Sequence, residues 1–287
     1  MHADQADADM MPTNSELLNR RGNEHFSRGF YTEAYQCYTQ ALEVDRATGN
    51  RRALSATLGN LGNICAVSGR REKAQAYYQE VLELEKILGD ERGIATTLAN
   101  LGNLRADAGE WERARAYYLE ALDIMERIAD HASLAVLQSD LGLLARETGD
   151  YKGAMQHYEQ SLALMRRTGN DAGMADAWRM MARTYSMQER HEEAMACCRT
   201  SLALAERLGD ELRIGGAWYL LASCYEQLGR LEEAVALLTR VVRIDHKYGL
   251  PKLEENTERL NALRARLSNG QAIPAVHPDP RTPLEHG

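Results

Sequence analysis

Residues 22, 62, 102, 142, 182 and 222 are Gly, Gly, Gly, Gly, Ala and Ala, a beat of 40 residues held through most of a 287-residue chain. Twelve residues after each stands an alanine: Ala34, Ala74, Ala114, Ala154, Ala194 and Ala234. A fixed period of this length marks a solenoid, because one unit cannot bury its apolar face alone and must stack on its neighbours. The period therefore outweighs chain length, which by itself would allow two ordinary domains.

At this period the units run 14–50, 51–90, 91–130, 131–170, 171–210 and 211–250. Each contains two stretches with helical spacing. In the second unit Leu54, Leu58, Leu61, Ile64 and Cys65 form one apolar stripe, and Ala74, Tyr77, Tyr78, Val81, Leu82 and Leu84 form the next. Gly29, Gly69, Gly109, Gly149 and Gly229 follow the first helices, with Glu189 as the exception. Gly49, Gly89, Gly169, Gly209 and Gly249 follow the second helices, with Ala129 as the exception. Glycine is favoured there because the left-handed conformation that ends many helices costs it nothing. Asn50, Asp90, Asp130, Asn170 and Asp210 then stand where a side-chain oxygen caps the next helix. The expected fold is all-α, a right-handed α-solenoid of six helical hairpins. A capping helix follows within 251–267, where Leu253, Leu260, Leu263 and Leu267 share a face. Residues 1–13, which carry Asp4, Asp7 and Asp9, read as a disordered acidic segment. Residues 268–287 hold four of the six prolines and read as a disordered tail.

Composition narrows the function. The net charge is −8, mild once the acidic N-terminus is set aside, and no basic stripe stands out, so nucleic acid is not the expected partner. No apolar run approaches the ~18 residues of a membrane span, and the N-terminus lacks the basic and apolar regions of a secretory signal. Cys37, Cys65, Cys197, Cys198 and Cys224 contain no CxxC pair, which points to reduced thiols in the cytoplasm rather than a metal site or a disulfide framework. The histidines do not fall at ligand spacing, and neither a nucleophile elbow nor a phosphate loop is present, so the reading is non-enzymatic, with no cofactor and no metal.

The small period-40 residue and the alanine twelve later are expected to meet where the helices of a hairpin cross. A larger side chain at Ala74 or Ala114 should overpack by ~1–3 kcal/mol. The paired tyrosines Tyr77–Tyr78 and Tyr117–Tyr118, together with Tyr158, Trp178 and Trp218, read as core, and Trp111 as partly exposed.

The phrases Leu61-Gly62-x-x-Cys65 with Ala74-x-x-x-Tyr78, Leu101-Gly102 with Ala114-x-x-x-Tyr118, and Trp218-x-x-Leu221-Ala222-x-x-Tyr225 with Ala234 resemble the tetratricopeptide repeat. Two features depart from its common form: the period is 40 rather than 34, and Arg46, Lys86, Glu126, Arg166, Glu206 and His246 stand where a proline usually ends the second helix. This looks like the long-repeat variety of kinesin light chains and Pins-type spindle-orientation adaptors.

The resemblance implies that first helices line a concave groove that captures a peptide segment of a partner protein, making the chain a scaffold or adaptor. A self-assembling homo-oligomer and a module that senses a signalling peptide are the alternatives. By resemblance, the groove positions include Asn60, Asn63, Asn100 and Asn103, a ladder of amides able to hold a peptide backbone whatever its side chains. Asparagine is also common at these places in the repeat's general pattern, so a structural role stands beside the ligand role. Asp140, Arg146, Arg179 and Arg183 occupy equivalent positions in units four and five. Their guanidinium groups would suit an acidic side chain or a C-terminal carboxylate. Alternatively, Asp140 and Glu147 neutralise them.

Overall fold

The computed structural model describes residues 14–270, which fall in two compact units that divide after Leu144. The described residues form thirteen helices and no strand. The first helices of the six hairpins are α1 (Asn14–Ser27), α3 (Arg51–Val67), α5 (Glu91–Ala106), α7 (His131–Glu147), α9 (Asp171–Met187) and α11 (Glu211–Gln227). Their partners are α2 (Tyr31–Thr48), α4 (Arg71–Leu88), α6 (Trp111–Arg127), α8 (Tyr151–Thr168), α10 (His191–Leu208) and α12 (Leu231–Tyr248), and α13 (Leu253–Ser268) closes the series. The all-α stack of helical hairpins is thus the architecture the period predicts. Residues 1–13 and 271–287, with the expectations attached to them, lie outside the described residues.

Helix punctuation follows the sequence closely. The side chains of Asn50, Asp90, Asp130, Asn170 and Asp210 each accept a hydrogen bond from the backbone N–H three residues on. The two glycine exceptions keep the backbone shape without the glycine: Ala129 has φ 54° and Glu189 φ 62°, both in the left-handed region.

In the first unit, α3 packs between α2 and α4 through Leu58, Leu61, Ile64 and Val81, with Ala34, Tyr38 and Leu42 from the preceding hairpin. In the second unit, Ala222, Leu231, Leu238 and Val241 pack against Leu260 and Leu263, so α13 covers the last hairpin as expected of a cap. Tyr78, Tyr118 and Tyr158 are buried, whereas Tyr77, Tyr117, Trp178 and Trp218 are only half-buried.

The expected meeting of glycine and alanine needs correction. The atoms closest to where a Cβ on Gly62 would sit belong to Tyr78, sixteen residues on, with Cε1 at 2.5 Å, and not to Ala74. Gly22 stands in the same relation to Tyr38, and Gly102 to Tyr118. Where the period-40 residue is alanine, at Ala182 and Ala222, the residue sixteen on is Cys198 or Leu238. The ring occupies the space that the missing methyl leaves, which is volume complementarity at one repeated contact.

A second repeated contact is polar. The carboxylate of Asp45, near the end of α2, accepts from the Thr57 hydroxyl of α3 at 2.6 Å, and Glu85 of α4 accepts from Thr97 of α5 at 2.9 Å. Both acids are buried and bonded, as a polar group away from water requires. At the corresponding places further along, Met125 is matched with Leu137, Met165 with Ala177 and Ala205 with Ala217, so acid and hydroxyl are absent together there, and both return at Asp245 and Thr257, where the buried acid accepts from Asn256.

Candidate functional site

The first helices form a continuous face inside each unit, with α1, α3 and α5 in contact in turn, and α9 against α11. In the first unit this face carries Asn19 and Asn23 on α1, Asn60 and Asn63 on α3, and Asn100 and Asn103 on α5. Asn19 and Asn23 were not among the expected ladder residues. Asn23 nevertheless follows Gly22 directly, as Asn63 follows Gly62 and Asn103 follows Gly102. Asn19 falls three residues before Gly22, where the next two units have Gly59 and Ala99, so the period alone does not single it out.

The amides are not equally available. Tyr38 donates its hydroxyl to Asn23 Oδ1 at 2.7 Å, Tyr78 donates to Asn63 Oδ1 at 2.7 Å, and Tyr118 donates to Asn103 Oδ1. Burial of Tyr38 pushes its phenol up to about 12, and burial raises Tyr78 and Tyr118 as well, so these hydroxyls stay protonated donors. The structural role of Asn63 and Asn103 is therefore to satisfy a buried phenol, which leaves the amide NH2 for other partners. Asn103 uses that capacity on Asp140, whose carboxyl is held up at about 7 by burial, opposed by the Asn103 hydrogen bond. Asn60 Nδ2 donates to Asn19 Oδ1 at 3.0 Å, and Asn19 Nδ2 donates to Thr57 Oγ1 at 2.6 Å, which joins both amides to the buried Asp45. Asn100 differs: its amide has no hydrogen-bond partner among the described residues.

Asn63, Asn100 and Asn103 line one cleft of about 410 Å³ together with Phe26, Val67 and Asp107. Asn60 lines a different cleft, of about 1090 Å³, beside Asn19, Asn23, Arg20, Arg51 and Arg52. The ladder is thus divided between two recesses of the same face.

In the second unit the three expected arginines differ in how far they are available. Arg146 is 2% exposed and is engaged by Glu147, Nη2 to Oε1 at 2.7 Å, and by Met180 Sδ, so Glu147 neutralises it and its charge is not offered to a ligand. Arg179 reaches Asp176 at 3.3 Å, while Asp176 is held more closely by Arg213 through Nε at 3.1 Å and Nη2 at 3.0 Å. Arg183 is exposed and has no ion pair or hydrogen bond among the described residues. Arg179 and Arg183 line a third cleft, of about 720 Å³, together with Met187, Leu212, Tyr219, Lys252 and Asn256. Lys252 and Asn256 lie on or beside α13, beyond the last repeat, where the period gives no guidance.

Among the described residues no cluster of His, Cys, Asp or Glu could hold a metal ion, and no helix is long and apolar enough to cross a membrane. All five cysteines are free and buried, and burial pushes the Cys197 thiol up to about 11 and raises Cys198 too. A thiol held protonated is a poor nucleophile, so burial leaves Cys197 and Cys198 unreactive.

The solved structures that share this fold include a Rap protein complexed with competence and sporulation factor, at TM-score 0.68 and 14% identity over 92% of this chain and 79% of that one. They also include a signal-transduction ATPase with a tetratricopeptide-repeat sensor from Pyrococcus horikoshii, at 0.69 and 16% over 90% of this chain and 39% of that one. Aspartyl phosphate phosphatase F from Bacillus subtilis follows, at 0.65 and 11% over 88% and 70%. At these identities the likeness is one of fold. No curated protein is matched by the sequence. The family model described as tetratricopeptide repeat matches residues 14–86, 93–167 and 173–247, each span covering one pair of hairpins. The chain belongs to the tetratricopeptide-repeat family.

Proposed function

We propose that the protein is a non-enzymatic interaction module that binds a peptide segment of a partner protein along its first-helix face. The observation that carries this reading is Asn100: a half-buried amide in a cleft, with donor and acceptor both unused among the described residues, while Asn60, Asn63 and Asn103 beside it are bonded. An amide bonded to a peptide group reads the backbone without regard to side chains, and the NH2 groups of Asn23 and Asn63 add donors for backbone carbonyls. In the second unit, Arg179 and Arg183 offer a separate contact for an acidic residue or C-terminal carboxylate. The Rap protein crystallised with competence and sporulation factor provides a precedent on a similar fold.

Peptides selected from a random-sequence display library provide the probe. Peptides with an acidic residue should lose affinity for Arg183→Glu while its helicity is unchanged, and equal binding would remove the anion contact. A monomer by light scattering at high concentration would set aside the self-assembling alternative.

A further inference from the structure

We propose that the cleft bounded by α9, α11, α12 and the start of α13 is a binding site for a small monocarboxylic acid with an apolar body that carries a hydroxyl donor. This goes beyond the Asn100 cleft of the first unit and makes a small acid, in place of a peptide carboxylate, the occupant at Arg179 and Arg183. The volume of about 720 Å³ lies within the ~300–1,000 Å³ of clefts that enclose small molecules.

The charges are arranged around that volume in a definite order. Arg183 has no ion pair among the described residues, and Arg179 shares Asp176 with the closer Arg213. Lys252 lies 5.7 Å from the Tyr219 ring, whose other cation is Arg259 at 5.1 Å. Asp245 also lines the cleft but is buried, with its carboxylate accepting from Asn256 Nδ2 at 2.7 Å. An anion is therefore drawn to the arginines and kept from Asp245, and the small excess of positive charge suits a monoanion.

The walls are apolar and open. Met187 is 46% exposed and Leu212 50%, side chains that gain from being covered. Gly216 sits within α11, where glycine is a poorer helix former than alanine. Its left-handed freedom is unused, and a Cβ there would meet only the flexible Arg179 side chain, at 3.4 Å from Cδ. The absent methyl instead keeps the cleft open beneath that guanidinium.

The floor holds an unsatisfied acceptor. Asn256 lines the cleft and is 3% exposed; its NH2 is bonded to the Asp245 carboxylate, and its Oδ1 has no partner among the described residues. A buried acceptor without a donor is destabilising unless a bound group supplies one. A ligand with its carboxylate at Arg183 and a hydroxyl at its far end meets both requirements.

Isothermal titration of the full chain with 3-(4-hydroxyphenyl)propionate, its primary amide and tyramine tests this. The acid should bind at least about tenfold more tightly than the amide, with tyramine weakest. Arg183→Gln should lower affinity for the acid about tenfold without shifting the melting temperature, since the side chain is exposed and unpaired. Gly216→Leu should abolish binding by filling the cleft. If that variant unfolds, Gly216→Ala, which favours the helix, should raise the melting temperature while weakening the acid. Absence of heat from the acid at millimolar concentration, equal binding of acid and amide, or unchanged affinity in Arg183→Gln would each overturn the proposal. So would tighter binding of acetyl-Gly-Gly-Phe with a free carboxylate than of the small acid, which would assign the cleft to a protein C-terminus.

Discussion

Gly102 and Tyr118 share one space: a Cβ on Gly102 would fall 2.5 Å from Cδ1 of the tyrosine ring. Since Tyr118 is fully buried, its ring has nowhere to withdraw. Gly102→Ala should therefore destabilise the protein by about 1–3 kcal/mol, seen as a lower denaturant midpoint at unchanged slope. The sixth hairpin already pairs Ala222 with Leu238. Combining Gly102→Ala with Tyr118→Leu should accordingly show a favourable coupling of about 0.5–3 kcal/mol. Strict additivity would show that the two residues do not compete for volume.

Glu189 ends α9 in the left-handed conformation that its repeat equivalents reach with glycine. The backbone shape is set by the hairpin, so an L residue there carries strain of about 1–2 kcal/mol. Glu189→Gly should raise stability by about 1 kcal/mol, measured by chemical denaturation. A loss of stability would mean that the side chain compensates for its own backbone.

Thr57 donates to the buried Asp45 and accepts from Asn19. Thr57→Val keeps the shape and removes both bonds, leaving a buried carboxylate short of a donor. A destabilisation of about 1–3 kcal/mol is expected in urea titration. A neutral substitution would show that the carboxylate finds water.

Much of this molecule is legible in its repeat, and the reason is physical. Gly62, Ala74 and Tyr78 recur because each hairpin solves the same packing problem. The spacing of fifteen residues between Asn63 and Tyr78, also seen in Asn23–Tyr38 and Asn103–Tyr118, could have identified those asparagines as partners of a buried phenol. Position 143 is leucine where the fourth hairpin would have its asparagine, so that pairing ends there. The burial of Arg146 was not legible, because it depends on Glu147 and Met180 meeting one guanidinium in space. Lys252 and Asn256 escaped notice for another reason: a period points only to what repeats, and α13 does not.

Asp140 gives the account a pH dependence. Burial raises its carboxyl from 3.8 to about 7, so ionisation is harder in the folded protein than in the unfolded chain. Its contribution to stability is therefore greatest below 3.8 and is lost as pH rises towards and through about 7. Asp140→Asn cannot ionise and should flatten this component of the stability profile, with its largest gain over the wild type above about pH 7. Identical slopes for the two proteins from 3.8 up to about 7 would contradict the assignment.

The proposed peptide recognition by the first-helix face rests most directly on Asn100, whose amide has no hydrogen-bond partner among the described residues. The decisive measurement is the dissociation constant of one library-selected peptide for the wild type and for Asn100→Ala, with the melting temperature of each protein taken alongside. An unchanged melting temperature with affinity about tenfold weaker is the predicted result, as two peptide hydrogen bonds are lost at no cost to the fold. Unchanged affinity in a folded Asn100→Ala protein would contradict it.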